Sequence, residues 1–162
     1  MPEAISNTSP LLYLYRIGGL EWLAKLFGQV WVAEAVADEL QYGKSRGYDV
    51  PMPADYSWLR LVQPRCIPSA WLALDLGSGE LGTMTLALEN VGHVVLLDDA
   101  LARRVAQAAG LETWGTLKVL LEVKSHGMIE SVAPYVNRLS QAGMWLSEDI
   151  KDRILRLAGE SP

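Results

Sequence analysis

Apolar residues along this chain follow two alternating rhythms. Short unbroken apolar runs give way to stretches with apolar residues three or four apart, and the change repeats down the chain. Ala4-Ile5-Ser6 is a strand-like opening that stops at Asn7-Thr8-Ser9-Pro10, a cluster of short oxygen-bearing side chains and an early proline that suits a helix start. The spacing then predicts a helix carrying Leu11, Leu12 and Leu14 up to Gly18-Gly19, and another carrying Leu20, Leu23, Leu26 and Phe27 up to Gly28. Val30-Trp31-Val32 reads as a strand. Ala33 to Tyr42 reads as a helix with Val36 and Leu40 on one face, ending at Gly43. Lys44 to Tyr56, with Gly47, Pro51 and Pro53, reads as a loop and as the least ordered part of the chain. Leu59-Arg60-Leu61-Val62 alternates like a short strand, and Pro68 opens a helical turn or two through Leu74.

The second half continues the alternation. Gly79-Glu80 begins a strong helix with Leu81, Met84, Leu88 and Val91 on one face and Gly92 as its stop. Val94-Val95-Leu96-Leu97 has the four consecutive apolar residues of a parallel strand covered on both sides, ending at Asp98-Asp99. A helix with Leu101, Val105, Ala108 and Ala109 follows to Gly110, then a weak strand at Leu111–Trp114 and a helix from Gly115-Thr116 through Lys124. The remainder, about 128–160, reads as helical, its last helix capped by Ser147 and presenting Ile150, Ile154 and Leu157 inward. Strands alternating with helices predict an α/β fold with a mostly parallel sheet. In such sheets ligands bind beyond the carboxyl ends of the strands, which directs attention to the residues after Ser6, near Val32 and after Leu97.

Composition narrows the class. The chain has 162 residues, half of them apolar and 20% charged, which suits one folded domain spanning 1–162 and excludes a disordered chain. A net charge of −5 disfavours a protein that wraps DNA. The single cysteine, Cys66, excludes an intrachain disulfide and argues against a cysteine-based zinc site. No basic-then-apolar leader opens the sequence and no long uncharged apolar run occurs, so a cytoplasmic protein with no membrane partner is expected.

Two motifs compete for the chemistry. Gly77-Ser78-Gly79-Glu80-Leu81-Gly82 satisfies G-x-G-x-x-G and resembles the cofactor loop of methyltransferases that use S-adenosylmethionine, with Asp98 and Asp99 at a fitting distance to bind a ribose. The preceding residues 70–75 are weakly β-forming, however, and no catalytic signature follows, so a glycine joint between two helices is the better reading. The other candidate is a set of polar residues at predicted strand and helix ends: Asn7, Glu39, Glu80, Asp98 and Asp99. Parallel strands can bring all of them to one end of the sheet. Gathered carboxylates repel one another, and a divalent cation such as Mg²⁺ or Mn²⁺ relieves that repulsion. Such a site activates water and steadies charge on a phosphate. Each residue also has a plainer role: Asn7 as a helix cap, Glu39 as a solvated helix residue, Glu80 as a favourable charge at a helix start, and one of Asp98 and Asp99 as a cap that leaves the other, by preference Asp99, to reach a metal.

Taken together, Ile5-Ser6-Asn7-Thr8-Ser9-Pro10-Leu11, Ala37-Asp38-Glu39-Leu40, Leu76-Gly77-Ser78-Gly79-Glu80, Val95-Leu96-Leu97-Asp98-Asp99 with Arg103, and Gly115-Thr116-Leu117 resemble a PIN domain, and more narrowly the prokaryotic branch related to VapC toxins. The resemblance covers roughly residues 3–160. It implies a three-layer α/β/α sandwich, metal-dependent endoribonuclease activity on RNA, a homodimer, and an antitoxin protein as partner. It assigns Asn7, Glu39, Glu80, Asp98 and Asp99 to the metal. Ser9, Thr116 and Arg103 support the site or touch phosphate. The family's usual first-strand Asp is here Asn7, which motivates a second reading: a catalytically weakened PIN-fold module that binds RNA or a protein. Arg104, Lys118 and Lys124 are further candidates for an RNA backbone, and Trp31 and Trp145 for partner contacts.

Overall fold

The computed structural model of the protein describes residues 3–66 and 76–162. Five short strands, β1 (Ala4–Ser6), β2 (Val30–Val32), β3 (Leu59–Leu61), β4 (Val94–Leu96) and β5 (Thr113–Trp114), form one sheet in the order β3-β2-β1-β4-β5. Every pairing is parallel, with Ile5 opposite Trp31 on one side and Val95 on the other. Among the described residues there are eight α-helices: α1 (Thr8–Arg16), α2 (Trp22–Phe27), α3 (Glu34–Ser45), α4 (Ser78–Glu89), α5 (Ala100–Ala108), α6 (Thr116–Ser125), α7 (Ala133–Gln141) and α8 (Glu148–Leu157). None is long and apolar enough to cross a membrane.

Strand residues alternate between two apolar layers, because successive side chains leave a strand on opposite faces. Ala4, Val30, Val32, Val94 and Leu96 join Leu11, Leu14, Leu23, Val36, Leu40, Leu120 and Leu139 on one face. Ile5, Val95 and Leu97 join Met84, Leu86, Ala102 and Ala106 on the other. The result is the expected α/β/α sandwich around a parallel sheet, with α4 and α5 as the helices that cover the second face among the described residues. Val132, Val136, Leu139 and Ile154 of the C-terminal region belong to the first layer, so these helices share the main core.

Several faces differ from the periodicity. Helix α4 buries Gly79, Thr83, Met84, Thr85, Leu86 and Ala87 and leaves Val91, past its end, 83% exposed. It is covered round most of its circumference, which erases the amphipathic signal. The hydroxyls of Thr83 and Thr85 are satisfied internally by donating to the carbonyl oxygens of Gly79 and Leu81, each at 2.7 Å. Helix α5 buries Ala102 and Ala106 rather than Leu101 and Ala108, since small residues let it lie close on the sheet. Helix α8 buries Ile154 but exposes Ile150 and Leu157. Helix α3 runs through Gly43 to Ser45 instead of stopping there. The segment after it is packed, not loose: Pro51 and Pro53 are buried, a 3₁₀ turn forms at Pro53–Asp55, and the Tyr15 hydroxyl donates to Asp49 Oδ1 at 2.8 Å. The helical turn predicted from Pro68 through Leu74 lies outside the described residues.

The end of the chain is fastened through one carboxylate. Glu160 accepts hydrogen bonds from the backbone N–H groups of Val132 (2.8 Å) and Ala133 (3.3 Å) and from Lys124 Nζ (2.9 Å). The same ammonium donates to the Ala158 carbonyl. Lys124 is therefore part of this corner and is not a free cation for RNA.

Candidate active site

The chain runs from β1 outward through β2 to β3, then returns to place β4 and β5 on the other side of β1. The reversal point in an open parallel sheet leaves a crevice beyond the strand ends, here between β1 and β4. Asn7 leaves β1 at this crevice, its N–H donating to the Leu96 carbonyl at 3.0 Å. Asp98 and Asp99 leave β4 on the same side. Topology thus carries three of the five predicted residues to one rim.

Glu39, in the second turn of α3, meets the start of α4. Its Oε1 accepts from the Gly79 N–H at 2.8 Å and the Ser78 hydroxyl at 3.3 Å, and its Oε2 accepts from the Thr8 hydroxyl. A Cβ at position 79 would fall 2.5 Å from Glu39 Oε2, and one at position 82 would fall 3.2 Å from the Ala33 Cβ. Gly79 and Gly82 are therefore inside α4 and allow α3 to approach it. This close helix contact accounts for two of the three glycines in the G-x-G-x-x-G spacing, Gly79 and Gly82.

Asp98 is held just as firmly. Its Oδ1 accepts from the Thr116 N–H and its Oδ2 from the Thr116 hydroxyl, both at 2.7 Å, which ties the end of β4 to the start of α6. Burial pushes its carboxyl above the ordinary range; the Thr116 bonds and the nearby Arg103 charge work against that without overcoming it. The turn is tight: a Cβ on Gly115 would lie 2.8 Å from Arg103 Nη1 and 3.3 Å from Asp98 Oδ1.

Asp99, Glu80 and Asn7 are different. Asp99, expected to be the free member of the pair, is instead its helix cap, its Oδ1 accepting from the Ala102 N–H at 2.9 Å, and it is exposed. Glu80 lies in the first turn of α4, half-buried. Burial pushes its carboxyl up, and the like charges of Asp99 and Glu39 push it further. No hydrogen bond from the described residues offsets this. Asn7 occupies the cap position of α1 but makes no capping bond, and its Oδ1 is buried with no partner among the described residues. An orphaned buried acceptor of this kind is costly and calls for a ligand.

As the side chains stand, no three Asp, Glu, His or Cys residues among the described residues come together around a single point. The donor chemistry still fits a hard divalent cation: hard oxygen ligands only, with two carboxylates that protein donors leave unsaturated and one unpartnered amide oxygen.

A family model described as PIN domain matches residues 3–160. The chain belongs to the PIN domain family. No curated protein matches it. The family supplies a nuclease-type fold whose members generally use divalent metal ions and bind RNA.

Within this PIN domain the other predicted residues fall as follows. Thr116 holds Asp98, Arg103 lies beside it, and Ser9 lines a groove next to Asp98 and Asp99. The two histidines of the chain are not among those predicted residues and lie elsewhere: His93 precedes β4, at the opposite end of that strand from Asp98, and is engaged by Asn90 and Glu3, and His126 ends α6. Thr8, Ser78 and the Gly79 amide, which fix Glu39, were not anticipated. The available signal was Thr8, immediately after the strand end that Asn7 marks.

Proposed function

We propose that this PIN domain is a Mg²⁺- or Mn²⁺-dependent endoribonuclease, with Glu80, Asp99 and Asn7 as the ligands nearest the metal and Glu39 and Asp98 as carboxylates that frame it. The observation that carries this reading is the set of unsupplied oxygens near the strand ends: Glu80 is crowded by Asp99 and Glu39, and the buried Asn7 Oδ1, at the end of β1, has no partner among the described residues. Such a divalent ion supplies Lewis-acid stabilisation of the phosphate and a more acidic water. The chain's own residues hold the scaffold around it. Thr116 fixes Asp98, the Gly79 and Ser78 donors with Thr8 fix Glu39, and the Asp99 cap fixes the start of α5. Relation to VapC toxins, with an antitoxin partner and a homodimer, is the corresponding proposal for its biology.

The test is cleavage of single-stranded RNA in Mn²⁺ or Mg²⁺ and in EDTA. Metal-dependent cleavage by wild type that is lost in both Glu80→Gln and Asp99→Asn supports the reading; cleavage unaffected by either substitution sinks it. Asn7 favours a second reading, a weakened PIN module that binds RNA or a protein without cutting, because an amide ligates a cation less strongly than a carboxylate. Inactive wild type with activity gained in Asn7→Asp selects that reading.

A further inference from the structure

The rim opens sideways into a groove of about 850 Å³ whose inner wall is Asp98 and Asp99. That volume is within the range of small-molecule sites, roughly 300–1,000 Å³. Its outer wall carries Trp145, which is 82% exposed. Exposure of so large an apolar ring is not the result of a loose loop. Trp145 sits in a short connection fixed at both ends: Met144 N–H bonds back to the Leu139 carbonyl, and Ser147 caps α8 through Ile150 N–H. Met144 and Leu146 on either side of it pack against the core. The indole is thus held outward by its partly buried neighbours, which line the same groove.

Two cations share the groove with the carboxylates of Asp98, Asp99 and Glu112 and can hold a nucleic-acid backbone whose metal ion offsets the acidic wall. Arg103 and Lys118 both line it. Lys118 rests 5.5 Å from the centre of the Trp114 ring and pairs with Glu122, an exposed pair of the kind worth little and easily exchanged. Glu112, also in the groove, is engaged by Trp114 Nε1 at 3.3 Å. Aromatic platforms beside a basic track are how single strands are bound without sequence preference.

We infer that this groove seats a nucleotide of single-stranded RNA adjoining the cleaved phosphate, with its base stacked on Trp145 and its backbone held by Arg103 and Lys118. The inference rests on the nuclease reading above and names a positioning surface for it. A second protein is the competing occupant, and the test separates the two. Binding of a labelled short 2′-O-methyl oligoadenylate, which cannot be cleaved, is measured by fluorescence anisotropy in EDTA. Trp145→Ala should weaken it roughly 5- to 150-fold, the range for removing one base–aromatic stack, and Trp145→Phe should keep most of the affinity. The same Trp145→Ala change should leave binding of an abasic sugar-phosphate oligomer unaltered. Equal affinity of wild type and Trp145→Ala for the oligoadenylate overturns the assignment, as does no binding by wild type. So does a change of oligomeric state on Trp145→Ala with oligonucleotide affinity intact, which marks a protein interface. Cleavage that persists while the stacking effect is absent removes the groove alone. A stacking effect in a chain that never cuts RNA removes the nuclease reading alone.

Discussion

Two places in this molecule gather carboxylate chemistry, the C-terminal corner and the strand-end rim, and they treat it in opposite ways. In the corner, Glu160 is 15% exposed and accepts from two amides and an ammonium. Burial opposes its charge, but those donors outweigh burial and hold its carboxyl below the ordinary range. At the rim, Glu80 is also partly buried, has no such donors among the described residues, and faces two more negative charges, so its carboxyl is held above that range. The rim repeats the contrast internally. Glu39 and Asp98 have donors on both oxygens, while Glu80 and Asn7 have none among the described residues. The donors of Glu160 outweigh its burial and stabilise the fold, whereas those of Asp98 do not overcome its burial. A carboxylate that is crowded and unsupplied lowers stability, which marks it as a candidate binding group.

The sharpest way to break this comparison is Asp99→Asn. Asparagine caps a helix as well as aspartate does, so the melting temperature should hardly move, while metal-dependent RNA cleavage falls by about 100-fold or more, at least the effect of disturbing a metal-site residue. A large loss of stability instead would make Asp99 a structural residue like Asp98. Next in size is Gly79→Ala. The added methyl would lie 2.5 Å from Glu39, and overpacking of this kind costs about 1–3 kcal/mol, read in a denaturant titration. Unchanged stability would mean that Glu39 is not locked between α3 and α4. Glu160→Gln should destabilise by about 1–2 kcal/mol, discounted from a fully buried charged bond, and leave cleavage intact.

The smallest effect is in the pH dependence, where the two glutamates should have opposite signs. For Glu160 the folded-state carboxyl lies below its unfolded value, so its contribution is present above the ordinary glutamate range and is lost as pH falls through the folded value. For Glu80 the folded value lies above, so the folded state binds the proton more readily and stability declines as pH rises out of that range. Melting curves in EDTA should show this decline in wild type and a smaller one in Glu80→Gln, the remainder coming from Asp98, whose buried carboxyl is also raised, and added Mn²⁺ should reduce the wild-type decline. An unchanged decline in Glu80→Gln removes Glu80 as a contributor.

Much of this was legible along the chain because the relevant signals are local. The runs at Ala4–Ser6, Val30–Val32 and Val94–Leu97 gave strands where the structure has them, and Ser147 caps its helix as its residue type suggests. What escaped was set by neighbours distant in sequence. The buried face of α4 is defined by α3 and the sheet, not by its own periodicity, so Thr83 and Thr85 looked polar and Val91 looked buried. The Asp98-Asp99 pair was ambiguous because either side chain can cap. Thr116, eighteen residues on, resolves it by occupying both oxygens of Asp98 and leaving the cap to Asp99. Lys124 read as a cation for RNA because its partner, Glu160, lies at the far end of the chain.

No strand of this sheet is longer than three residues. At about 3.3 Å per residue the slab is only some 10 Å deep, so its floor and its reactive rim are nearly the same place. A methyl group gained or lost under Ile5 or Val95 is then two residues from Asn7 or three from Asp98. Evolution cannot retune the interior of such a shallow sheet without also moving the groups proposed to meet the phosphate.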